Sequence, residues 1–338
     1  MIKLQVIGDP KNPKGFSSNI IIESLNAALK KVGLYDEAGK KVAYSCICSD
    51  HGQKADAFIC SYEIPFSQII YAQSRNRPIL GVNLDNLRFI IDGDINPNLV
   101  GFFPLGVDNF KYPVVQKKTM MDSFVFLAYT ESLIRSGYHV LVPAFGRAFS
   151  GSKDDVLYIK NRNGTDAFKL RIENQARYYN IQVKYENNHL GIEEELEVYR
   201  AANAAVYVNM SSTWAMPCLQ LMTCGVPSII MPYSGPAEYT RDEWNALAVK
   251  YDIEYLDDRV LRPLMEIGMR NFFFADGYAK QPYWARPNID SLAMQMLRLR
   301  KDPELGKRLA TNGRITGEQF TWEKSAMALS AALREFGF

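Results

Sequence analysis

Residues 123–149 read SFVFLAYTESLIRSGYHVLVPAFGRAF, and this stretch sets the class of fold. Its beginning, Ser123–Ala128, is an apolar run of the length expected for a buried strand. After a polar segment, Gly137–Phe149 is predicted to be a helix, and the apolar run Val156–Lys160 predicts the next strand. A strand, a loop, a helix and a second strand in this order indicate a parallel sheet with helical crossovers.

The same order of elements extends to both sides of this stretch. Before it we predict a helix from about Asn19 and strands at Ile2–Ile7, Val42–Cys48, Ala57–Ser61 and Arg77–Val82. After it we predict a strand in part of Tyr178–Tyr185, helix Glu193–Ala202, strands Ala204–Asn209 and Ser228–Met231, and helices Ile289–Arg300, Pro303–Thr316 and Trp322–Phe336. The Gly- and Pro-rich segment Asn98–Pro113 is predicted to connect two α/β units. Two such units imply a ligand cleft between them.

Composition narrows the class of protein. Hydrophobic residues make up 47% and charged residues 22% of the 338 residues, as in ordinary globular proteins. The 39 Lys and Arg residues against 37 Asp and Glu residues give a net charge of +2, which argues against a protein that coats polyanions. No apolar run approaches the length of a membrane span, and the five cysteines show no C-x2-C pair. We therefore expect a cytoplasmic protein without a membrane span.

Two short motifs in the first half of the chain suggest ligand contacts. The loop Gly8–Ser18 places Gly15 and two lysines before a helix, and such a helix start can bind an anion or be a simple capped turn. It is neither G-x-G-x-x-G nor a P-loop sequence. Asp92-Gly93-Asp94 could bind a metal ion with a diphosphate, but a turn is the stronger interpretation. Metal binding is therefore not expected.

A longer set of motifs runs through the second half of the chain in a characteristic order. It comprises Gly106-Val107-Asp108, the strand and helix described above, Arg135-Ser136-Gly137, Asp154–Lys160, Ser211–Pro217, Met222–Pro227, Ser234–Glu238 and Asn245-Ala246-Leu247. In order and spacing, these motifs resemble the donor-binding half of the retaining family-four glycosyltransferases with the GT-B fold. The resemblance extends from about Val100 to the carboxyl terminus, whereas the first half is similar only in general shape.

This resemblance implies an α/β fold of two Rossmann-like domains that face each other across a cleft. The implied domains are an acceptor-side domain at 1–110, a donor-binding domain at 111–315, and a carboxyl-terminal helix at 316–338 that packs back on the first domain. The implied activity is metal-independent, retaining transfer of a sugar from a nucleotide diphosphate, UDP by family frequency, to a hydroxyl group. No cofactor is implied beyond this co-substrate.

The resemblance also assigns roles to individual residues. Arg135 and Ser212 take catalytic positions: Arg135 lies where the family has an arginine before a phosphate-binding lysine, and Ser136 replaces that lysine. Ser212 and Gln220 take the positions of a pair of acids, the first of which binds the sugar and the second the ribose. The implied donor-binding residues are Gly15, Lys160, Ser211, Thr213, Trp214, Ala215, Met216, Gln220 and Glu238.

Several alternatives remain open at this stage. The acceptor could be a glycan, a lipid or, as in some phage enzymes of this size, hydroxymethylated DNA. The cluster Arg75, Arg77 and Arg88 favours DNA weakly. The basic segment between Lys160 and Lys184 could contact DNA, but a solvated helix face is its stronger interpretation. A sugar-nucleotide epimerase would need carboxylates and a histidine in the cleft, and the chain has three histidines. A relative that binds donor without turnover is the third alternative.

Overall fold

The computed structural model describes most of the chain. The described residues are 2–7, 16–35, 41–49, 57–60, 79–81, 100–116, 123–161, 164–212, 214–256 and 283–337. Those within 1–106, 255–282 and 320–338 form one compact unit, and those within 107–254 and 283–319 form a second. Each unit has its own sheet.

The described strands and helices are numbered in chain order. The strands are β1 (Ile2–Ile7), β2 (Leu34–Tyr35), β3 (Lys41–Val42), β4 (Tyr44–Ser49), β5 (Ala57–Cys60), β6 (Ile79–Gly81), β7 (Val100–Phe102), β8 (Phe124–Thr130), β9 (Asp155–Asn161), β10 (Gln182–Glu186), β11 (Ala204–Tyr207), β12 (Ser228–Ile230), β13 (Leu247–Ala248), β14 (Tyr251–Tyr255) and β15 (Tyr283–Pro287). The helices are α1 (Phe16–Val32), α2 (Tyr138–Phe149), α3 (Asp166–Tyr179), α4 (Ile192–Ala201), α5 (Met216–Thr223), α6 (Gly235–Tyr239), α7 (Ile289–Lys301), α8 (Pro303–Gln319) and α9 (Trp322–Glu335).

A parallel sheet lies at the centre of the first unit. Among the described residues its order is β4-β1-β5-β6-β7. Counted along the chain, this is the 2-1-3-4-5 order of flavodoxin-like folds. Leu4 in β1 pairs with Cys46 on one side and Ala57 on the other, and its side chain is completely buried. The short strands β2 and β3 form a separate antiparallel pair.

The last helix of the chain belongs to this first unit. Helix α9 packs along α1, and Lys31 forms an ion pair of 2.9 Å with Glu323. The Ser325 hydroxyl donates to the Pro104 carbonyl at 2.5 Å. Gly106 lies so close to the start of α9 that a Cβ atom there would come within 2.2 Å of the Trp322 nitrogen. These contacts confirm the prediction that the carboxyl-terminal helix packs back on the first unit.

The second unit contains a parallel sheet of the order β10-β9-β8-β11-β12-β13. Counted along the chain, this is the 3-2-1-4-5-6 order of the dinucleotide-binding Rossmann fold. Strand β8 is central and largely buried on both faces, as its apolar sequence predicts. Behind it, Phe126 packs against Phe145 and Phe149 of α2, with ring centroids 5.7 and 5.2 Å away. The class of fold is thus as the sequence predicts.

Three local predictions need correction. The sequence predicts one strand over Val42–Cys48, but the structure divides it at Ala43, because β3 pairs with β2 while β4 pairs with β1. The segment Asn98–Pro113 was predicted as a connection only, but it contains β7, a three-residue strand that forms by pairing with β6. Helix α3 was expected only as a solvated face within the basic segment, and its bounds were not predicted, because it buries only a narrow stripe. The buried residues of that stripe are Phe168, Ile172 and Ala176.

Within the described residues, no helix combines the length and the apolar character that crossing a membrane requires.

Candidate functional site

The candidate site lies at the carboxyl edge of the second sheet, where β8 and β11 are neighbours. From this pair, successive strands are added outward in opposite directions. Open α/β sheets bind ligands at the carboxyl ends of the strands where the strand order reverses in this way. Two segments border this position: the β8 loop (residues 131–137) and the β11 loop (residues 208–215).

Backbone contacts hold these two loops together. The amide of Met210 donates to the carbonyl of Arg135 at 2.7 Å. Gly137 caps α2 with a φ of 75°, and a Cβ atom at this position would come within 2.3 Å of the Val208 carbonyl oxygen. Both the backbone conformation and the close approach therefore require glycine. The two loops form a single small platform at the edge of the sheet.

Arg135 lies at the centre of this platform, in a short 3₁₀ turn formed by Ile134–Ser136. Its Nη2 atom lies 2.5 Å from Glu131 Oε2, and its Nη1 atom donates to the Ser211 carbonyl at 3.3 Å. The guanidinium thus links the β8 loop to the β11 loop. The Ser136 hydroxyl bonds the carbonyls of Glu131 and Leu133, both at 2.8 Å, so this side chain serves the loop itself.

Ser212 lies in the β11 loop beside a buried tyrosine. The Tyr207 hydroxyl donates to Ser212 Oγ at 3.0 Å. Burial raises the pKa of Tyr207 well above its ordinary value, so the phenol keeps its proton and remains a hydrogen-bond donor. The Ser212 carbonyl accepts from the Gly235 amide at 3.1 Å, which ties the loop to α6. The structure therefore fixes both the backbone and the side chain of Ser212.

The turn after Ser212 is held from behind by Tyr239. Its hydroxyl donates to the carbonyls of Trp214 (3.1 Å) and Ala215 (3.3 Å), and its ring lies 5.8 Å from the Trp214 ring. Ala215, with φ 59° and ψ 55°, is left-handed and starts α5, and both Trp214 and Ala215 are buried. Met216 is partly buried. Pro217 occupies the first turn of α5, as predicted.

Three other predicted residues lie in their own local settings. The Lys160 ammonium, at the end of β9, is buried and donates to the carbonyls of Asn188 and Asn161. Gln220 is buried within α5. Glu238 is exposed on the five-residue helix α6. The structure thus brings Arg135, Ser211 and Ser212 together. Lys160, Gln220 and Glu238 lie at other positions of the same unit.

The charges at the edge of the sheet are largely offset. Arg135 is paired with Glu131, and the Lys160 ammonium is bound by backbone carbonyls. His139 lies in the first turn of α2, where burial and the nearby Arg286 guanidinium lower the pKa of its imidazole. His139 is therefore neutral near pH 7. The net positive charge at this edge of the sheet is therefore smaller than the sequence suggests.

Comparison with solved structures identifies the architecture. A sucrose-phosphate synthase from Thermosynechococcus elongatus matches with a TM-score of 0.67 and 13% identity, over 99% of each chain. HepE from Anabaena, solved with UDP-glucose, matches with a TM-score of 0.62 and 12% identity, over 98% of this chain and 99% of that one. A glycosyltransferase from Rickettsia africae matches with a TM-score of 0.64 and 10% identity, over 99% and 98%. The chain has the GT-B fold. No protein-family model and no curated protein sequence matches it.

Within the GT-B fold, some predicted residues cannot be placed. Gly15 and Thr213 lie outside the described residues. The same holds for the motif Asp92-Gly93-Asp94 and for Arg75, Arg77 and Arg88. Among the residues that the structure does describe, no group of three or more His, Cys, Asp and Glu side chains could hold a metal ion.

Two residues of the platform were missed by sequence reasoning. Glu131 precedes Arg135 by four residues, and in a helix this spacing indicates an ion pair. The segment was predicted to be a loop, so the spacing was not used. Tyr207 is the last residue of β11 and was counted as part of an apolar strand. Its role depends on a contact with Ser212 that only the fold of the β11 loop creates.

Proposed function

We propose that the protein is a glycosyltransferase that binds a nucleotide-sugar donor in its second unit. The observation that carries this proposal is the convergence of Arg135, Ser211 and Ser212 between β8 and β11 of a Rossmann-type sheet. The architecture supports it, because HepE, a protein of similar fold, has been solved with UDP-glucose. UDP is accordingly the proposed carrier, and a hydroxyl group is the proposed acceptor.

The proposed chemistry is retaining and independent of metal ions. As the sugar leaves, negative charge grows on the diphosphate, and fixed cations and helix amino termini stabilise such charge. Arg135 is the proposed cation, and α2, which starts at Gly137, presents its amino terminus at the same edge. The departing phosphate takes the acceptor proton, so no side-chain base is required. Gln220 is the proposed contact of the ribose, and Lys160, Glu238 and the Ser211–Met216 turn are proposed to lie around the donor.

A panel of nucleotide sugars tests this proposal. The purified protein is incubated with UDP-, GDP- and ADP-sugars and excess chelator, and slow hydrolysis of one donor is expected. Conversion of the donor into an epimer would contradict the proposal, as would activity that is lost with chelator and restored by manganese. Mass spectrometry of glycan, lipid and hydroxymethylated-DNA acceptors, each incubated with the active donor, then identifies the acceptor.

A second candidate function is donor binding without turnover. The observation in its favour is that Ser212 and Gln220 carry no carboxylate and that the Arg135 charge is offset by Glu131. Under this alternative, calorimetry detects binding of a nucleotide sugar, whereas neither donor hydrolysis nor any acceptor product is detected. The same panel therefore separates the two functions.

A further inference from the structure

The ion pair at the centre of the platform is unequally exposed. The Arg135 side chain is 14% exposed, whereas that of Glu131 is 30% exposed. A ligand that approaches from solvent therefore has more access to the carboxylate than to the guanidinium. A carboxylate only accepts hydrogen bonds when it is ionised, and it repels phosphate. The exposed part of this pair suits a neutral ligand group that is rich in hydroxyls.

Arg135 connects the carboxylate to the backbone next to Ser212. A single guanidinium contacts Glu131 Oε2 and the carbonyl of Ser211, the residue immediately before Ser212. The charges of both Glu131 and Arg135 act on the hydroxyl of Tyr207, which itself donates to Ser212 Oγ. Glu131 is thus connected to the Tyr207–Ser212 pair through Arg135 and the Ser211 carbonyl. Glu131 and Ser212 lie on the two loops on either side of the strand-order reversal.

These side chains retain hydrogen-bonding capacity for a ligand. Ser212 Oγ has one hydrogen bond, to the Tyr207 hydroxyl, and a serine hydroxyl can take part in more than one. Glu131 uses Oε2 for Arg135, and Oε1 has no hydrogen bond among the described residues. A hydroxyl and an anionic acceptor therefore lie on the two loops that Arg135 links. The hydroxyl groups of a sugar can donate to such a carboxylate and can donate to or accept from a serine.

We propose that Glu131 determines specificity for the sugar of the donor by accepting hydrogen bonds from its hydroxyls, and that Arg135 positions the carboxylate. This inference rests on the proposed function and names a residue for it. The hydroxylated part of the donor then contacts Glu131 and Ser212, and the diphosphate lies between the Arg135 guanidinium and the start of α2. The competing interpretation is that Glu131 only competes with phosphate for Arg135.

Titration calorimetry with UDP and UDP-glucose distinguishes these interpretations. If the panel identifies another donor, that donor and its nucleoside diphosphate are the two probes. In Glu131→Gln, the affinity for UDP-glucose is expected to fall roughly tenfold or more, the usual cost of a lost charged hydrogen bond, while that for UDP stays within about twofold. Glu131→Asp keeps the charge and is expected to lie between the wild type and Glu131→Gln.

A matched control is available in the same unit. Glu243 forms a comparable carboxylate–guanidinium pair with Arg298 at 2.6 Å, and Glu243→Gln is expected to leave both affinities unchanged. Thermal unfolding verifies that each variant is folded. Equal changes for UDP and UDP-glucose in Glu131→Gln, in either direction, would show that Glu131 acts only through Arg135 and would overturn the inference, as would no change. If the wild type binds no nucleotide sugar at all, the proposed function itself fails, and the inference falls with it.

Discussion

The β8 loop and the β11 loop meet at the same edge of one sheet, yet they differ in charge and in backbone conformation. The β8 loop carries the ion pair of Glu131 and Arg135, and its one left-handed residue is Gly137. The described part of the β11 loop carries no charged side chain, and it places Ala215 in the left-handed region. The β8 loop thus provides charged side chains, and only its glycine is left-handed. The β11 loop provides serine hydroxyls and contains a left-handed alanine, which is a strained conformation.

This difference indicates how the site is built. A left-handed alanine is unfavourable by about 1–2 kcal/mol, and such strain is often stored where a ligand binds. A second strained residue, Ser234, precedes α6 with φ 60° and ψ −135°. The turn of the β11 loop is therefore held by tertiary contacts such as those of Tyr239, whereas the β8 loop also has contacts within itself, through Ser136 and the Glu131–Arg135 pair. Four variants test this contrast.

The largest effect is expected for Gly137→Ala. The left-handed φ costs about 1–2 kcal/mol, and the overlap with the Val208 carbonyl costs about 1–3 kcal/mol more. Chemical denaturation measures the sum as a lower free energy of unfolding. The control is Gly151→Ala, which has a similar φ of 79° but nothing closer than Asn180 at 3.6 Å. Equal losses in both variants would show that the two loops are not in contact at Gly137.

Arg135→Ala is expected to lower turnover strongly, because it removes both the cation and the link between the loops. Charged hydrogen bonds contribute about 1.5–3 kcal/mol, which corresponds to a loss of roughly ten- to hundred-fold. Arg135→Lys keeps the charge but not the forked geometry, so only part of the activity is expected to return. Unchanged kinetics in Arg135→Ala would assign the phosphates to the helix termini and Lys160.

A smaller effect is expected for Tyr207→Phe, which removes the hydrogen bond to Ser212 and leaves the ring in place. The loss of one neutral hydrogen bond should weaken donor binding by about 0.5–1.5 kcal/mol in calorimetry. In the Ser212→Ala background the same change should have no further effect, because the acceptor is already gone. Additive losses in the double variant would mean that the two side chains act independently.

Ala215→Gly is expected to have the smallest effect, and it should stabilise the protein. Glycine relieves the left-handed strain of about 1–2 kcal/mol but loses part of that gain to the entropy of the unfolded chain. A rise of the unfolding free energy by up to about 1 kcal/mol is therefore predicted. Ala310→Gly, inside the regular helix α8, is the control and should lose about 1 kcal/mol. A loss in both variants would contradict the strain at Ala215.

The long periodic elements could be predicted from the sequence because their signals are local. The runs at Ile2–Ile7, Ser123–Ala128 and Ile289–Arg300 correspond to β1, β8 and α7 within a few residues. The short strand β7 and the narrow stripe of α3 were missed, since a three-residue strand exists only through its partner and a helix with few buried residues has weak periodicity. The roles assigned to Arg135, Ser212 and Gln220 came from the order of motifs and remain predictions.

The sequence by itself determined the α/β class and the parallel sheets, because hydrophobic periodicity is carried by each segment within its own residues. The return of the last helix to the first unit was implied by the resemblance of the motifs and not by periodicity. Only the tertiary structure decided that Arg135 links Glu131 to the Ser211 carbonyl, because pairing of β8 with β11 brings their two loops to one edge of the sheet. It also decided that the charge of Arg135 is offset, since an ion pair depends on side-chain positions that spacing alone does not fix.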